Sequence, residues 1–261
     1  MNEREAQALN AILSSKNYGE LCPDTIKRVF EAKLPLYKSW KEAEKAARTQ
    51  LHRITGAFMS AADLKQAERL AQEYAAGNED ALDEVLLLHS STRERKEHWR
   101  MLYERTFAAM GNVPRKVLDL ACGLNPIALG ALGIASVQGY DIQGGAVRTI
   151  NMWAEAAGWN VRAACADLLC NVAPEEADLA LMMKLLPLLE QQKRGCARAL
   201  MENCPAKALL VTFPTRTLSG RNVGMETQYA RWMEENMPPS LEIQAQYTVG
   251  TELCYLLRRK G

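Results

Sequence analysis

At 261 residues the chain can bury a core that needs no disulfide or metal to stabilise it. A hydrophobic share of 48% beside a charged share of 24% argues against both a disordered polar chain and a membrane protein. The formal net charge of +1 hides an asymmetry: residues 16–53 hold nine Lys/Arg against five Asp/Glu, whereas residues 57–110 hold seven against ten.

The first residues, Met1-Asn2-Glu3-Arg4-Glu5, mix charges where a signal peptide needs a basic head and an apolar stretch. No later segment supplies the roughly 18 uninterrupted apolar residues of a membrane helix. A cytoplasmic protein with no membrane partner is expected. The basic stretch 16–53 presents its charge either to phosphates or as plain solvated helix surface.

Residues 1–111 read as an all-helical region. Leu64, Ala67, Leu70, Ala71 and Tyr74 recur at helical spacing, with Ser60 and Asp63 placed to cap the run and Gly77-Asn78 to end it. Asp80 begins another run through Leu82, Val85, Leu86 and Leu88, and a further helix is expected over 92–110. Gly111-Asn112-Val113-Pro114 then breaks the pattern.

From 112 to 261 short β-prone runs alternate with helical stretches. Strands are expected at 116–120, 135–140, 160–165, 178–183, 207–213, 241–249 and 253–258, and helices at 126–132, 144–157, 186–203 and 224–235. Such alternation predicts an α/β domain with a largely parallel seven-stranded sheet. The last two strands leave no room for a crossover helix and predict an antiparallel hairpin. Seven cysteines, at 22, 122, 165, 170, 196, 204 and 254, form no Cys-x-x-Cys and no zinc spacing, so reduced thiols, mostly buried, and no metal are expected.

The strand ends carry the chemistry. Val117-Leu118-Asp119-Leu120-Ala121-Cys122-Gly123-Leu124-Asn125-Pro126 is a buried strand, an acid, a small-residue turn and a helix opening on proline, with Asn125 positioned as its cap. Small residues let a ligand approach the backbone where open α/β sheets bind. One glycine is too few for a dinucleotide fingerprint. The second strand ends Gly139-Tyr140-Asp141-Ile142, and its acid can serve as a helix cap or accept both ribose hydroxyls of a nucleoside. The third ends Ala166-Asp167-Leu168, where an acceptor for an adenine amino group and an apolar cover for its ring fall together. Three acid-ended strands in succession point to an adenosine-bearing cofactor. The pattern is similar to the class I S-adenosylmethionine-dependent methyltransferase fold, preceded here by the helical region. At the fourth strand's end stands Lys184-Leu185-Leu186-Pro187, not the Asn/Asp-Pro-Pro-Tyr used on planar amines, so a target bringing its own lone pair is expected.

With these segments in view the chain resembles the 16S rRNA (guanine(1405)-N7)-methyltransferases that confer aminoglycoside resistance. The resemblance is carried by Leu21-Cys22-Pro23-Asp24-Thr25, Ala46-Ala47-Arg48-Thr49-Gln50-Leu51-His52, Leu88-His89-Ser90-Ser91-Thr92-Arg93-Glu94-Arg95, the 119–126 loop, residues 184–190, Phe213-Pro214-Thr215-Arg216-Thr217-Leu218, Gly224-Met225-Glu226 and Gly250-Thr251-Glu252-Leu253. It spans nearly the whole chain.

The resemblance implies methyl transfer from S-adenosylmethionine to N7 of that guanine within the assembled 30S ribosomal subunit. Phe58, His89, Ser90, Ser91 and Arg95 would reach the cofactor from the helical half, with Arg95 on its carboxylate. Ala121, Gly123, Asp141, Asp167, Leu168, Met183 and Gln192 would form the rest of its pocket; the family often carries phenylalanine at the place of Met183. Arg48 and Arg53 become phosphate-contact candidates, joined nearer the target by Lys184, Arg216 and Arg221. No residue is required as a general base, and no protein partner is implied. The alternatives are N1 methylation of a nearby adenine, a small-molecule methyltransferase, and a non-catalytic RNA-binding factor on the same fold.

Overall fold

The computed structural model describes residues 1–55, 59–170, 174–215 and 224–260. Among the described residues seven α-helices come first: α1 (Glu3–Leu13), α2 (Pro23–Lys33), α3 (Trp40–Thr55), α4 (Ala61–Ala75), α5 (Asp80–Leu86), α6 (Ser90–Arg93) and α7 (Trp99–Met110). The α/β part follows as β1 (Lys116–Leu120), α8 (Asn125–Ala131), β2 (Ser136–Asp141), α9 (Gly144–Ala157), β3 (Val161–Cys165) and β4 (Ala177–Met183). It ends with α10 (Leu186–Gln192), α11 (Cys196–Asn203), β5 (Ala206–Pro214), α12 (Met225–Asn236), β6 (Leu241–Val249) and β7 (Glu252–Arg259).

The sheet order is β3-β2-β1-β4-β5-β7-β6. Strands β1 to β5 pair in parallel, and β7 runs antiparallel between β5 and β6. The class I methyltransferase architecture is thus present, with its terminal hairpin. All seven expected strands exist, displaced by at most a residue at an end. Strand order reverses between β1 and β4, and the carboxyl ends of the strands at such a reversal form a ligand crevice.

Side-chain alternation sorts the core into two layers. Val117, Leu179, Leu181, Leu210 and Leu256 face a cluster shared with α4, α5 and α7 to α9. Leu118, Leu120, Ala180, Met182, Leu209 and Val211 face α10 to α12. A third cluster joins α1, α2 and α3 through Ile12, Ile26, Phe30, Ala47 and Leu51, with Ile142 from the turn after β2 against it. The Ser60–Asp63 pair closes a reciprocal cap on α4, as its spacing predicts. Trp153 of α9 donates its indole N–H to the Ala67 carbonyl at 3.0 Å, fixing α4 on the α/β part. All seven cysteines are free, and Cys22, Cys122, Cys204 and Cys254 are buried.

Two expected helices are broken. The run 92–110 is α6 and α7 separated by a turn, because Arg95 folds inward to meet Glu252, and that buried pair overrides the helical periodicity. The run 186–203 splits at Gly195, whose φ of +80° is left-handed, and the Glu190 carboxylate accepts from the N–H groups of Gly195 and Ala197 to start the second piece.

The outer strands have side chains on their free backbone. The Asn151 amide exchanges two hydrogen bonds with the N–H and C=O of Ala163 in β3, at 2.8 and 3.0 Å. On β6, Arg105 donates to the Thr248 carbonyl at 3.0 Å, and a bulge lies between Ile243 and Ala245. No helix among the described residues is long and apolar enough to cross a membrane.

Candidate cofactor and substrate site

The strand ends converge on one cleft of about 1580 Å³. Behind β1 the chain turns through two left-handed residues, Ala121 at φ +58° and Gly123 at φ +53°. An alanine in that region stores strain of the kind found at ligand sites. At Gly123 a Cβ would lie 2.8 Å from both the His89 ring and the Ser91 hydroxyl, so conformation and space both demand glycine.

Asp141, ending β2, holds the turn together: Oδ2 accepts from the Gly123 N–H and Oδ1 from the Gln143 N–H, each at 2.8 Å. An ionised carboxylate offers about four acceptor positions, so both oxygens retain capacity for a ligand. His89 caps α6 by accepting the Ser91 N–H at Nδ1, with the Ser91 hydroxyl 2.7 Å from the same nitrogen. Burial lowers the pKa of His89, which agrees with a neutral ring accepting at Nδ1. His89, Ser91, Gly123 and Asp141 are therefore one structural unit.

Asp167 begins the turn after β3 and is 3% exposed. Its Oδ1 accepts from the Leu169 N–H at 2.9 Å. Its Oδ2 takes Nε and Nη2 of Arg28, at 2.9 and 2.8 Å, and the same Nη2 donates to Gln192 Oε1 at 2.9 Å. Ser90, Ala121, Asp141, Asp167, Leu168 and Gln192 all line the cleft, as does Arg28. Arg28 was not singled out from the sequence, where it is one of nine basic residues on a helical stretch.

Beneath the cleft lies a polar network. Asp119 is buried and accepts from Asn125 Nδ2 at 2.6 Å, while the Tyr103 hydroxyl donates to Asn125 Oδ1 at 2.7 Å. The expected cap at Asn125 is thus corrected: the residue opens α8 without a side-chain cap because its amide is engaged inside the core. Burial pushes the Asp119 carboxyl up to about 7. The Tyr103 hydroxyl also lies 3.9 Å from the Met183 sulfur, so Met183 sits against this buried network.

Arg95 is 7% exposed and donates Nε to Glu252 Oε1 at 2.5 Å. The Thr212 hydroxyl donates to Glu252 Oε2 at 2.7 Å, and Lys184 Nζ lies 3.4 Å from Oε1 and 2.6 Å from Glu94. Burial opposes the Glu252 charge, but Arg95 and Lys184 outweigh it and hold its carboxyl below the usual range. Lys184, at the tip of β4, is with Ala121 one of two non-glycine residues of positive φ among the described residues, at +55°. Glu252 and Thr212 were missed from the sequence as network members; a glutamate opening a strand carries no signal of what it faces across 157 residues.

The remaining sequence candidates divide. Arg53 lines the cleft beside Lys33, Lys45 and Arg93. Arg48 faces away from it, paired with Glu44 at 2.8 Å and donating to the Ala11 carbonyl. Phe58, Arg216 and Arg221 lie outside the described residues.

The donor set fits an adenosine-bearing group: carboxylates at Asp141 and Asp167 for hydroxyl or amino donors, Leu168 for an aromatic ring, and a strained small-residue turn admitting close approach. Residues 14–242 match the model of the family described as Ribosomal RNA methyltransferase (FmrO). A curated relative named 16S rRNA (guanine(1405)-N(7))-methyltransferase, from Serratia marcescens, is 44% identical over 97% of this chain and 98% of its own. One of the same name from Micromonospora echinospora is 31% identical over 98% of this chain and 97% of its own. Among solved structures, 16S rRNA methyltransferase RmtF in complex with S-adenosyl-L-homocysteine superposes with a TM-score of 0.91 at 50% identity, covering 100% of both chains. The 16S rRNA methylase RmtB gives 0.89 at 39% identity, again over 100% of each.

Proposed function

The chain belongs to the family of 16S rRNA (guanine(1405)-N(7))-methyltransferases, and from that premise we propose that it methylates N7 of guanine 1405 on the assembled 30S subunit, with S-adenosylmethionine as donor. The observation that carries the reading is a cleft in which the acid-ended strands β2 and β3 meet a basic wall of Lys33, Lys45, Arg53 and Arg93. A nucleoside cofactor and a phosphate-bearing target can share such a space.

Bound S-adenosylmethionine would supply a methyl on a sulfonium sulfur, open to attack by a lone pair on the target, with the S–C bond electrons leaving on the neutral thioether. The chain's own residues bind and orient. Asp141 accepts the ribose hydroxyls, Asp167 an adenine amino proton, and Leu168 and Met183 cover the ring. A guanidinium carries five N–H donors, so Arg95 can hold a carboxylate while Glu252 takes its Nε. Ser90, Ala121 and Gln192 line the same cleft, His89 and Ser91 pack on the Gly123 turn, and Phe58 would join them as the family resemblance implies. Guanine N7 has no proton to lose, so no side chain serves as base; alignment at near-attack distance contributes up to roughly 7–11 kcal/mol in well-oriented systems. Lys184, Arg216 and Arg221 would meet the target nucleotide, and residues 1–111 dock the subunit, with Arg53 and its neighbour Lys45 on phosphates. The modified base lies in the decoding site, so aminoglycosides that contact its N7 edge are excluded and resistance follows. Action on ribosomes sets a cytoplasmic location.

The test incubates the protein with 30S subunits and methyl-labelled cofactor and locates the label in the RNA. Label at N7 of guanine 1405 is expected. Label at N1 of a neighbouring adenine would transfer the activity to the rival target, and cofactor binding with no transfer would make the chain an RNA-binding factor.

A further inference from the structure

The segment entering α2 touches both acid turns of the cofactor cleft. Cys22 donates its N–H to the Ile142 carbonyl at 2.8 Å, and the Gly144 N–H donates to the Glu20 carbonyl at 2.7 Å, which fastens this segment to the turn just after Asp141. Arg148 adds an ion pair to Glu20 at 2.6 Å. Further along α2, Arg28 forks Nε and Nη2 onto Asp167 Oδ2 and reaches Gln192 with the same Nη2. Asp167 is thereby pinned from both sides, by its own turn at Oδ1 and by a foreign helix at Oδ2. Helix α2 also packs through Ile26, Val29 and Phe30 against Ala47 and Leu51 of α3, the helix bearing Lys45 and Arg53.

We propose that Arg28 is a positioning residue that couples cofactor binding to RNA docking: it sets the Asp167 carboxylate for the cofactor while belonging to the helical unit that meets the subunit. The inference rests on the function proposed above. The fork fixes the orientation of a buried carboxylate that would otherwise rotate, and a fixed acceptor needs no ordering when the ligand arrives. Any displacement of α2 and α3 on docking moves Arg28 and with it Asp167. Coupling of this kind is reciprocal, so cofactor occupancy changes subunit affinity by the factor by which the subunit changes cofactor affinity.

The experiment is calorimetry of S-adenosylhomocysteine binding to the full-length wild type, Arg28→Met, Asp167→Asn and the double variant, with thermal melts to establish folding. Arg28→Met is expected to weaken binding roughly tenfold, the scale of one slackened charge-assisted pair. The double variant should lose less than the sum of the two single losses, because Arg28 acts chiefly through Asp167. Arg28→Lys, which keeps the charge but cannot fork, should lose several-fold and decides the matter if the methionine variant does not fold. In 30S binding with and without S-adenosylhomocysteine, the shift seen for wild type should vanish in the Arg28 variants. Wild-type affinity in a folded Arg28 variant, additive losses in the double, or a 30S shift that is absent in wild type or survives in the variants overturns the proposal. Failure of the wild type itself to bind S-adenosylhomocysteine would instead remove the functional reading beneath it.

Discussion

Arg95 and Glu252, 157 residues apart in the chain, meet at 2.5 Å with both side chains at least nine-tenths buried. Removing one partner of such a pair leaves an uncompensated buried charge, which costs about 3–5 kcal/mol. Urea unfolding of Glu252→Ala should register that loss. The apolar pair Arg95→Met with Glu252→Leu should recover most of the stability without restoring methyl transfer. A Glu252→Ala protein as stable as wild type would show that the pair contributes nothing to the fold.

Stability should also depend on pH through Asp119, whose buried carboxyl is pushed up to about 7 from an ordinary 3.8. The folded protein then holds a proton that the unfolded chain has released between those values. Stability from this source is complete below about 4 and is lost as pH rises to about 7, with a slope of at most about 1.4 kcal/mol per unit. Asp119→Asn should abolish the decline between pH 5.5 and 7.5 in urea titrations. An unchanged slope in that variant would assign the dependence to another group.

Asp141 accepts two backbone N–H groups at 2.8 Å, from Gly123 and Gln143. In Asp141→Asn one of those donors must face an amide NH₂. Loss of charge-assisted bonds of this type costs on the order of 1.5–3 kcal/mol each. S-adenosylhomocysteine should bind at least tenfold more weakly by calorimetry. Wild-type affinity in the folded variant would take Asp141 out of the pocket.

Charge reversal at Lys45 and Arg53, which line the cleft, should weaken 30S binding and flatten its salt dependence, because each phosphate contact releases counterions. Arg48 is already engaged with Glu44 and the Ala11 carbonyl, so its reversal should matter less. Filter binding across a salt series measures both. A full salt slope in the Lys45 and Arg53 variants would move the docking surface elsewhere.

The single-turnover rate on saturated 30S complexes should vary little between about pH 6 and 8.5, since the attacking N7 carries no proton. A rate rising tenfold per unit would mean that deprotonation limits the chemistry and that the target atom is not N7.

The sheet was legible in the sequence because alternation and turn residues are local signals, and Asp141 and Asp167 were legible as acids at strand tips. The break at 94–98 was not, since its cause is Glu252, at the far end of the chain. Asn125 has the residue type and position of a cap, yet burial beside Asp119 commits its amide to the core. Arg28 offered no pattern distinguishing it from its basic neighbours. Its partner is set by how α2 crosses the turn after β3, a tertiary fact invisible to periodicity.

The two outer strands carry a further consequence. An edge strand with free N–H and C=O groups is a template on which another copy can add a strand. Here the Asn151 amide stands in for a missing neighbour beside β3, while the Arg105 guanidinium and the bulge interrupt β6. Newly made copies can accumulate without their sheets zipping into aggregates.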